Sequence, residues 1–252
     1  MKVSIITATY NSEDYIRETY ISIRNQSHDD WEWLVTDDCS SDDTFSILED
    51  ISKIDDRVFV FRNAVNSGAA VSRNSSLDHI SGDIVAFLDS DDLWLENKLS
   101  EHLEFYKSMN SKLSFTGYFV VDNNGRNLGV TVDTSHNQYS FKYKDFLIKK
   151  GTFGCSTALL SAELASKYRM PNIRTGQDYA YWILILREEN ISAHMFPLAL
   201  TKYRKSTTSI SKNKFKKAKR QWDIYQKIEK IKFPRNFYYF ANYAMRAIFR
   251  KK

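Results

Sequence analysis

"IVAFLDSDDLW", residues 84–94, decides how the chain is read. Five apolar residues, Ile84 to Leu88, run straight into Asp89-Ser90-Asp91-Asp92. A short apolar run closed by polar residues is the pattern of a strand covered on both faces, as in a parallel sheet. Ligands of parallel α/β sheets gather beyond the carboxyl ends of the strands, where these acids fall. One Asp would suffice to cap a following helix. Three carboxylates within four residues repel one another unless a cation sits among them. Mg²⁺ and Mn²⁺ take oxygen ligands and are commonly held by one or two carboxylates plus substrate phosphates. The stretch therefore implies a metal and a phosphate-bearing substrate, with Asp92 left to a structural role beside the next helix.

Toward the N-terminus the same architecture repeats. Val3 to Thr7, Trp31 to Val35 and Val58 to Phe61 read as three further strands. Helical periods lie between them: Tyr15, Ile16, Thr19 and Ile23 after Asn11-Ser12; Phe45, Leu48 and Ile51 after Ser41 or Asp42; and residues 68–80. Strands alternating with helices predict an α/β fold, a mostly parallel sheet with helices on both faces. A second acidic pair, Asp37-Asp38, follows the second strand. Downstream, a helix over 96–109 precedes Leu113 to Val121 and Leu128 to Val132. Asp122-Asn123-Asn124-Gly125 between them predicts a hairpin. Cys155 to Leu160 reads as a strand and Gln177 to Arg187 as a helix. Neither GxxxxGK[ST] nor GxGxxG occurs, which argues against an NTPase and a dinucleotide oxidoreductase.

Composition sets the outer bounds. Of 252 residues, 42% are hydrophobic and 27% charged, a soluble globular balance. No run is long enough for a signal peptide or a membrane span. Two cysteines, Cys39 and Cys155, without a CxxC predict reduced thiols rather than a disulfide framework or a zinc site. The five histidines (28, 79, 102, 136 and 194) lack ligand spacing and read as packing or surface residues. The net charge of +5 conceals a division. Residues 201–252 carry 17 Lys and Arg against Asp223 and Glu229, while the first 200 residues carry 19 basic against 29 acidic groups. An acidic body wants cations and a basic tail wants an anionic surface.

Four stretches carry a resemblance: "VSIITATYNSEDYIRETYISIRNQS" (3–27), "WEWLVTDDCSSDDT" (31–44), "NSGAAVSRNSSLDHISGDIVAFLDSDDLW" (66–94) and "GQDYAYW" (176–182). In this order and spacing the chain resembles the family 2 inverting glycosyltransferases of the GT-A fold, and within them the bacterial enzymes that build O-antigen or capsule repeat units. The resemblance implies a nucleotide-sugar half over 1–92 and an acceptor half over 93–205, followed by a basic helical tail over 206–252. It implies that Asp89-Ser90-Asp91 is the DxD motif. Asp91 would hold Mn²⁺ or Mg²⁺, and Asp89 would contact the ribose or the metal shell. Asp38 matches the acid that binds uracil. The backbone of Thr7, Ala8, Thr9 and Tyr10 would line the nucleoside pocket, and Arg73 would approach the base or the diphosphate. Asp178 matches the catalytic base. Relatives often have Glu where this chain has Gln177, which leaves that position without a transferred role. "YRKSTTSIS" (203–211) resembles a segment that closes over the diphosphate, with Arg204 on the phosphates; relatives often have His where Ser206 stands, so no His-dependent step carries over.

The implied reaction is transfer of a hexose from a UDP-sugar to a hydroxyl of a lipid-diphosphate-linked sugar. Glucose is preferred over galactose and the N-acetylated hexoses on resemblance alone. A glycoside hydrolase also needs two acids, but it has no use for a metal cluster or a nucleoside pocket. A noncatalytic nucleotide-sugar or nucleic-acid binding module would use the basic tail, but the intact Asp178 and the absence of an RNA-binding motif speak against it. Beyond Pro234, Phe237, Phe240, Ala241, Ala244 and Ile248 fall on one helical face, with Tyr238, Tyr239 and Tyr243 nearby. That pattern suits either a helical cap on the catalytic domain or peripheral binding to an anionic membrane. The second reading puts the protein on the cytoplasmic face of a bacterial plasma membrane, with no nucleic-acid partner.

Overall fold

The structure is a computed structural model that describes residues 1–132, 139–151, 154–205 and 214–249, without the side chains of 214, 215, 248 and 249. The N-terminal half follows the expected alternation: β1 (Val3–Thr9), α1 (Ile16–Arg24), β2 (Trp31–Asp37), α2 (Thr44–Ile54), β3 (Val58–Arg62), α3 (Ala69–Leu77) and β4 (Ile84–Phe87). The second half adds β5 (Leu93–Trp94), α4 (Lys98–Ser108), β6 (Leu113–Val121), β7 (Asn127–Val132), β8 (Ser140–Lys142), α5 (Tyr143–Leu147), β9 (Ala158–Ser161), α6 (Ala162–Lys167), α7 (Gln177–Glu188) and β10 (Ser192–Arg204). Two tail helices follow, α8 (Lys214–Asp223), continued by one π turn over Ile224–Ile228, and α9 (Arg235–Phe249).

All ten strands of the described residues join one sheet, in the order β3-β2-β1-β4-β9-β6-β10-β5, with β7 on β6 and β8 on β10. The first four strands are parallel. Beyond them β9 runs antiparallel to both β4 and β6, and β10 returns parallel to β6. Successive residues go to opposite faces, so Ile5 packs under α1, α2 and α4 while Ile6 packs under α3 and α7. Each large apolar side chain sealed in this way contributes about 1.5–3 kcal/mol. Register sets the site: Thr9 lies beside Asp37, and Ile6 beside Phe87. The carboxyl ends of β1, β2 and β4 are therefore level, and the segments that follow them share one edge.

Several local expectations are refined. The hairpin forms between β6 and β7, with Gly125 at φ 75° in its turn. The expected strand over 155–160 begins instead with a 3₁₀ turn at Cys155–Thr157, and pairing starts at Ala158. Neither Asn11 nor Ser12 caps α1 through its side chain. The Ser12 carbonyl accepts from Tyr15 and Ile16, while its hydroxyl lies 2.9 Å from that of Ser90. Asp92 leaves the following helix uncapped and reaches across the sheet. Central β10 had no counterpart in the sequence reading, because Pro197 and two register shifts, between Phe196 and Thr201, interrupt its alternation.

The tail is built into the domain. Ile224 and Tyr225 are buried in the same core as Phe87 and Trp182, with Tyr239 and Phe240 packed against it. Tyr225 donates its hydroxyl hydrogen to the Leu147 carbonyl. Buried Glu229 accepts from Tyr143 at 2.7 Å and from Arg187 at 2.6 Å. The expected single apolar face of α9 is divided: Phe240 faces inward onto Trp222, whereas Phe237 is exposed. The side chain of Ile248 lies outside the described residues. Both cysteines are free thiols. His79 stacks on Phe61, while His102 and His194 bond to Ser114 and Ser111; His136 lies outside the described residues. No helix of the described residues is long and apolar enough to cross a membrane.

Candidate active site

The site is assembled where β1, β2 and β4 end and α7 begins. Asp38 is buried after β2, and its carboxylate organises the loop leading to α3. It accepts from Asn63 Nδ2 at 2.7 Å, the Ser67 amide at 2.8 Å and the Gly68 amide at 2.7 Å. Its own amide donates to the Thr9 carbonyl. At the end of β1, Thr7 turns inward, donating to the Leu88 carbonyl and accepting from the Trp33 indole. Ala8 is half-buried, and the buried Thr9 hydroxyl has no partner among the described residues. Tyr10 is exposed. Beside Asp38 this edge thus carries one exposed ring, Tyr10, and one buried hydroxyl, Thr9, without a partner among the described residues.

Beyond β4 the four acidic-loop residues separate into distinct roles. Asp89 is ion-paired with Arg73 at 2.6 Å. Asp91 has no side-chain hydrogen-bond donor among the described residues. Burial, then the neighbouring Asp89 charge, pushes it up to about 6 despite Arg204 and Arg73. Ser90 faces away, its hydroxyl on Ser12 and its carbonyl accepting from Thr19. Asp92 is buried and structural. It accepts from the Ser156 hydroxyl at 2.5 Å and the Arg204 amide at 2.9 Å, with burial and its two acidic neighbours holding its pKa well above the usual range. Ser156 also receives the Asp89 amide at 3.0 Å, so the 3₁₀ turn before β9 fixes the acidic loop.

This donor set fits a divalent ion. Asp89 keeps one oxygen beyond its Arg73 contact, and Asp91 is an underused carboxylate whose pKa is raised chiefly by burial and then by the Asp89 charge. Among the described residues no group of three or more His, Cys, Asp or Glu could hold a metal. Substrate phosphates would have to complete the shell, as is usual for Mg²⁺-type sites.

Arg73 connects this loop to α7. It is buried, one nitrogen bonds Asp89, and Nε and Nη1 have no partner among the described residues. Burial opposes its charge, yet the carboxylates of Asp89 and Asp178 raise its pKa further. Asp178 stands in the first turn of α7, behind Gly176 in the left-handed region (φ 77°). Burial raises the Asp178 pKa against the opposing pull of Arg73. Arg204, expected on the phosphates, is engaged here by protein groups. Its three nitrogens go to the Asp91 carbonyl, the Asn123 carbonyl and the Glu18 carboxylate, and its guanidinium lies over Tyr15. It clasps the acidic loop to α1 and the hairpin. Ser206 and the rest of the segment through 211 lie outside the described residues.

Asp89 and Asp178 open onto one cavity of about 410 Å³. Lys217, Arg220 and Gln221 of α8 and Tyr243 of α9 also line it. The sequence pointed to Tyr243 only as one of the tail's aromatic rings, and the three α8 residues were not singled out, because the charges of α8 read as solvated.

The family model described as "Glycosyl transferase family 2" matches residues 4–168. The chain belongs to that family. Asp178 and the tail lie beyond the matched span, so their placement rests on the geometry above. Among curated relatives, the putative teichuronic acid biosynthesis glycosyltransferase TuaG of Bacillus subtilis is 42% identical, covering 98% of this chain and 96% of that one. The Escherichia coli UDP-Glc:alpha-D-GlcNAc-diphosphoundecaprenol beta-1,3-glucosyltransferase WfgD is 37% identical, covering 96% and 91%. A fragment of S. aureus TarS solved with UDP-GlcNAc superposes with a TM-score of 0.72 at 20% identity, over 97% of this chain and 72% of that one. That likeness shows the fold, GT-A, for this family member.

Proposed function

We propose that the protein transfers a hexose, glucose first, from a UDP-sugar to a hydroxyl of a lipid-diphosphate-linked sugar during synthesis of a bacterial surface polysaccharide. The observation that carries this reading is the single cavity onto which both the DxD carboxylate Asp89, ion-paired with Arg73, and Asp178 open. The name of the WfgD relative supports UDP-glucose and a diphosphate-linked acceptor. Thr9 and Asp38 lie at the nucleoside end, and Arg73 orients the donor above Asp89. Asp89 and Asp91 would hold Mn²⁺ or Mg²⁺, which when bound supplies Lewis-acid neutralisation of the departing diphosphate. Asp178 accepts the proton of the attacking hydroxyl, and burial raises its pKa, which makes it a stronger base than a free aspartate. One displacement at the anomeric carbon, with no covalent intermediate, inverts the configuration. A panel of UDP-sugars with Mn²⁺ and a GlcNAc-diphosphate-lipid analogue tests the reading: UDP release with UDP-glucose supports it, and release with none refutes it.

Membrane association belongs to the same proposal. Phe233, Phe237, Tyr238 and Met245 are exposed at 52–79% on the outer side of the tail, next to Lys230, Lys232, Arg235 and Arg246. Exposed rings among cations suit the headgroup layer of an anionic cytoplasmic leaflet. Because α9 also packs inward, the clean test is a Phe237→Ser/Tyr238→Ser variant, which should lose cosedimentation with phosphatidylglycerol vesicles. Undiminished vesicle binding would remove the membrane reading.

A further inference from the structure

The cavity beside Asp178 has a wall that the chemistry so far leaves unused. Lys217, Arg220 and Gln221, within two turns of α8, all line it. Arg220 Nε is a buried donor without a partner among the described residues, and Gln221, 2% exposed, stands beside it against the Tyr179 and Tyr225 hydroxyls. Unpartnered buried donors cost about 1–3 kcal/mol each unless a ligand satisfies them. Space has been made for Arg220: a Cβ on Gly176 would come within 3.1 Å of its Cδ and Nε. Lys149, over the Tyr243 ring at 4.7 Å, adds a cation on the opposite lip. Arg220 also borders an outer groove with Arg174, Lys216 and Lys219, where Lys227 is paired with Asp223 and Ile173, Ile224 and Ile228 supply apolar surface, so a mainly cationic and partly apolar path runs from the cavity to the surface.

We infer that Lys217, Arg220 and Gln221 form an anion subsite that binds the diphosphate of the acceptor. This rests on the transfer reading above and adds what selects the acceptor. Position separates the two diphosphates of the reaction. Arg220 lies against Gly176, two residues before Asp178, whereas the acidic loop is held by Arg73 on the Asp89 carboxylate and by Arg204 on the Asp91 carbonyl. The α8 donors therefore belong to the base's end of the cavity, where the acceptor hydroxyl must lie, and the donor's phosphates belong to the metal end. An acceptor sugar with its hydroxyl at Asp178 carries its diphosphate one ring away, toward the cationic wall. The lipid then leaves along the basic groove.

The test compares GlcNAc-diphosphate-phenoxyundecyl with neutral phenoxyundecyl GlcNAc as acceptors, for wild type and the Lys217→Ala/Arg220→Ala variant. Wild type should favour the diphosphate acceptor at least tenfold in KM, and the variant should lose that preference, the size expected for lost charge-assisted contacts. Arg220→Lys should recover part of it. Binding of geranyl diphosphate to protein saturated with UDP and Mn²⁺, followed by calorimetry, gives a readout free of turnover. It should weaken at least tenfold in the variant while UDP affinity holds. Equal KM values for the two acceptors in wild type, or a variant defect seen in UDP affinity instead, would overturn the subsite and assign α8 to the donor. If no UDP-sugar is turned over but geranyl diphosphate binding still depends on Lys217 and Arg220, the transfer reading fails and the subsite stands.

Discussion

Replacing Asp178 by Asn separates chemistry from binding. The carboxylate lies in the first turn of α7, with Arg73 as its foremost charged neighbour. Asn keeps the volume and one acceptor oxygen and removes only the capacity to take a proton. A positioned base contributes about 10²–10⁴ in rate, or roughly 3–5 kcal/mol of barrier. Stability should move the other way. Burial raises the folded pKa of Asp178 above the ordinary aspartate value of 3.8. The native state therefore binds that proton more readily than the unfolded chain, and stability is lost as pH rises from 3.8 through the folded pKa. Neutral Asn escapes that loss, so at pH 7 the Tm of the variant should equal or exceed that of wild type. The assay is initial-rate UDP release, alongside scanning calorimetry and titration with UDP and Mn²⁺. A rate loss smaller than about tenfold, below what any positioned base supplies, would refute the assignment. So would a large loss accompanied by lost UDP binding.

Asp91→Ala should abolish the enhancement of UDP affinity by Mn²⁺ without unfolding the protein, since it removes a crowded, underpaired carboxylate; calorimetry with and without Mn²⁺ checks this, and a persisting enhancement would contradict it. Asp38→Asn sets an amide against the donors of Asn63, Ser67 and Gly68, and should cost about 1–3 kcal/mol of stability and weaken UDP binding; a variant normal in both Tm and UDP affinity would exclude the loop-organising role. Lys98 is fully buried, its Nζ unpartnered and 4.1 Å from the centre of the Trp94 ring, and burial lowers it from 10.5 to about 7. The unfolded chain then binds more protons between those values, so stability should rise with pH from about 7 to 10.5. The ceiling on that rise is roughly 5 kcal/mol, of which the ring returns about 1–2; Lys98→Met should flatten the slope of Tm against pH and raise Tm below pH 7, and an unaltered slope would count against this.

What could be read from the sequence divides along physical lines. The apolar runs at Val3, Trp31, Val58 and Ile84 are short and bounded by polar residues, so local pattern alone located four parallel strands and the edge where they end. The acids at 37–38 and 89–92 follow from that edge. Their division of labour does not: that Asp92 bonds Ser156 and Arg204 while Asp91 stands free depends on a turn more than sixty residues away and on the end of β10. β10 itself escapes local reading because Pro197 and its bulges break the alternation. Arg204 carried a family role in sequence but in three dimensions meets Glu18 and two carbonyls first. The charges of α8 look alike in sequence, and only packing distinguishes Lys217 and Arg220, at the cavity, from exposed Lys216 and Lys219. Gly176 was the available hint, since a left-handed glycine two residues before an acid leaves room for a neighbour's side chain.

The most direct test of the central claim is the anomeric configuration of the product. UDP-glucose with Mn²⁺ and GlcNAc-diphosphate-phenoxyundecyl should give a β-linked disaccharide, shown by the large vicinal coupling between the axial H1 and H2 protons of the glucose in the NMR spectrum, from an α-linked donor in a single displacement. An α-linked product would require retention, and would contradict both the single-base mechanism and the role of Asp178.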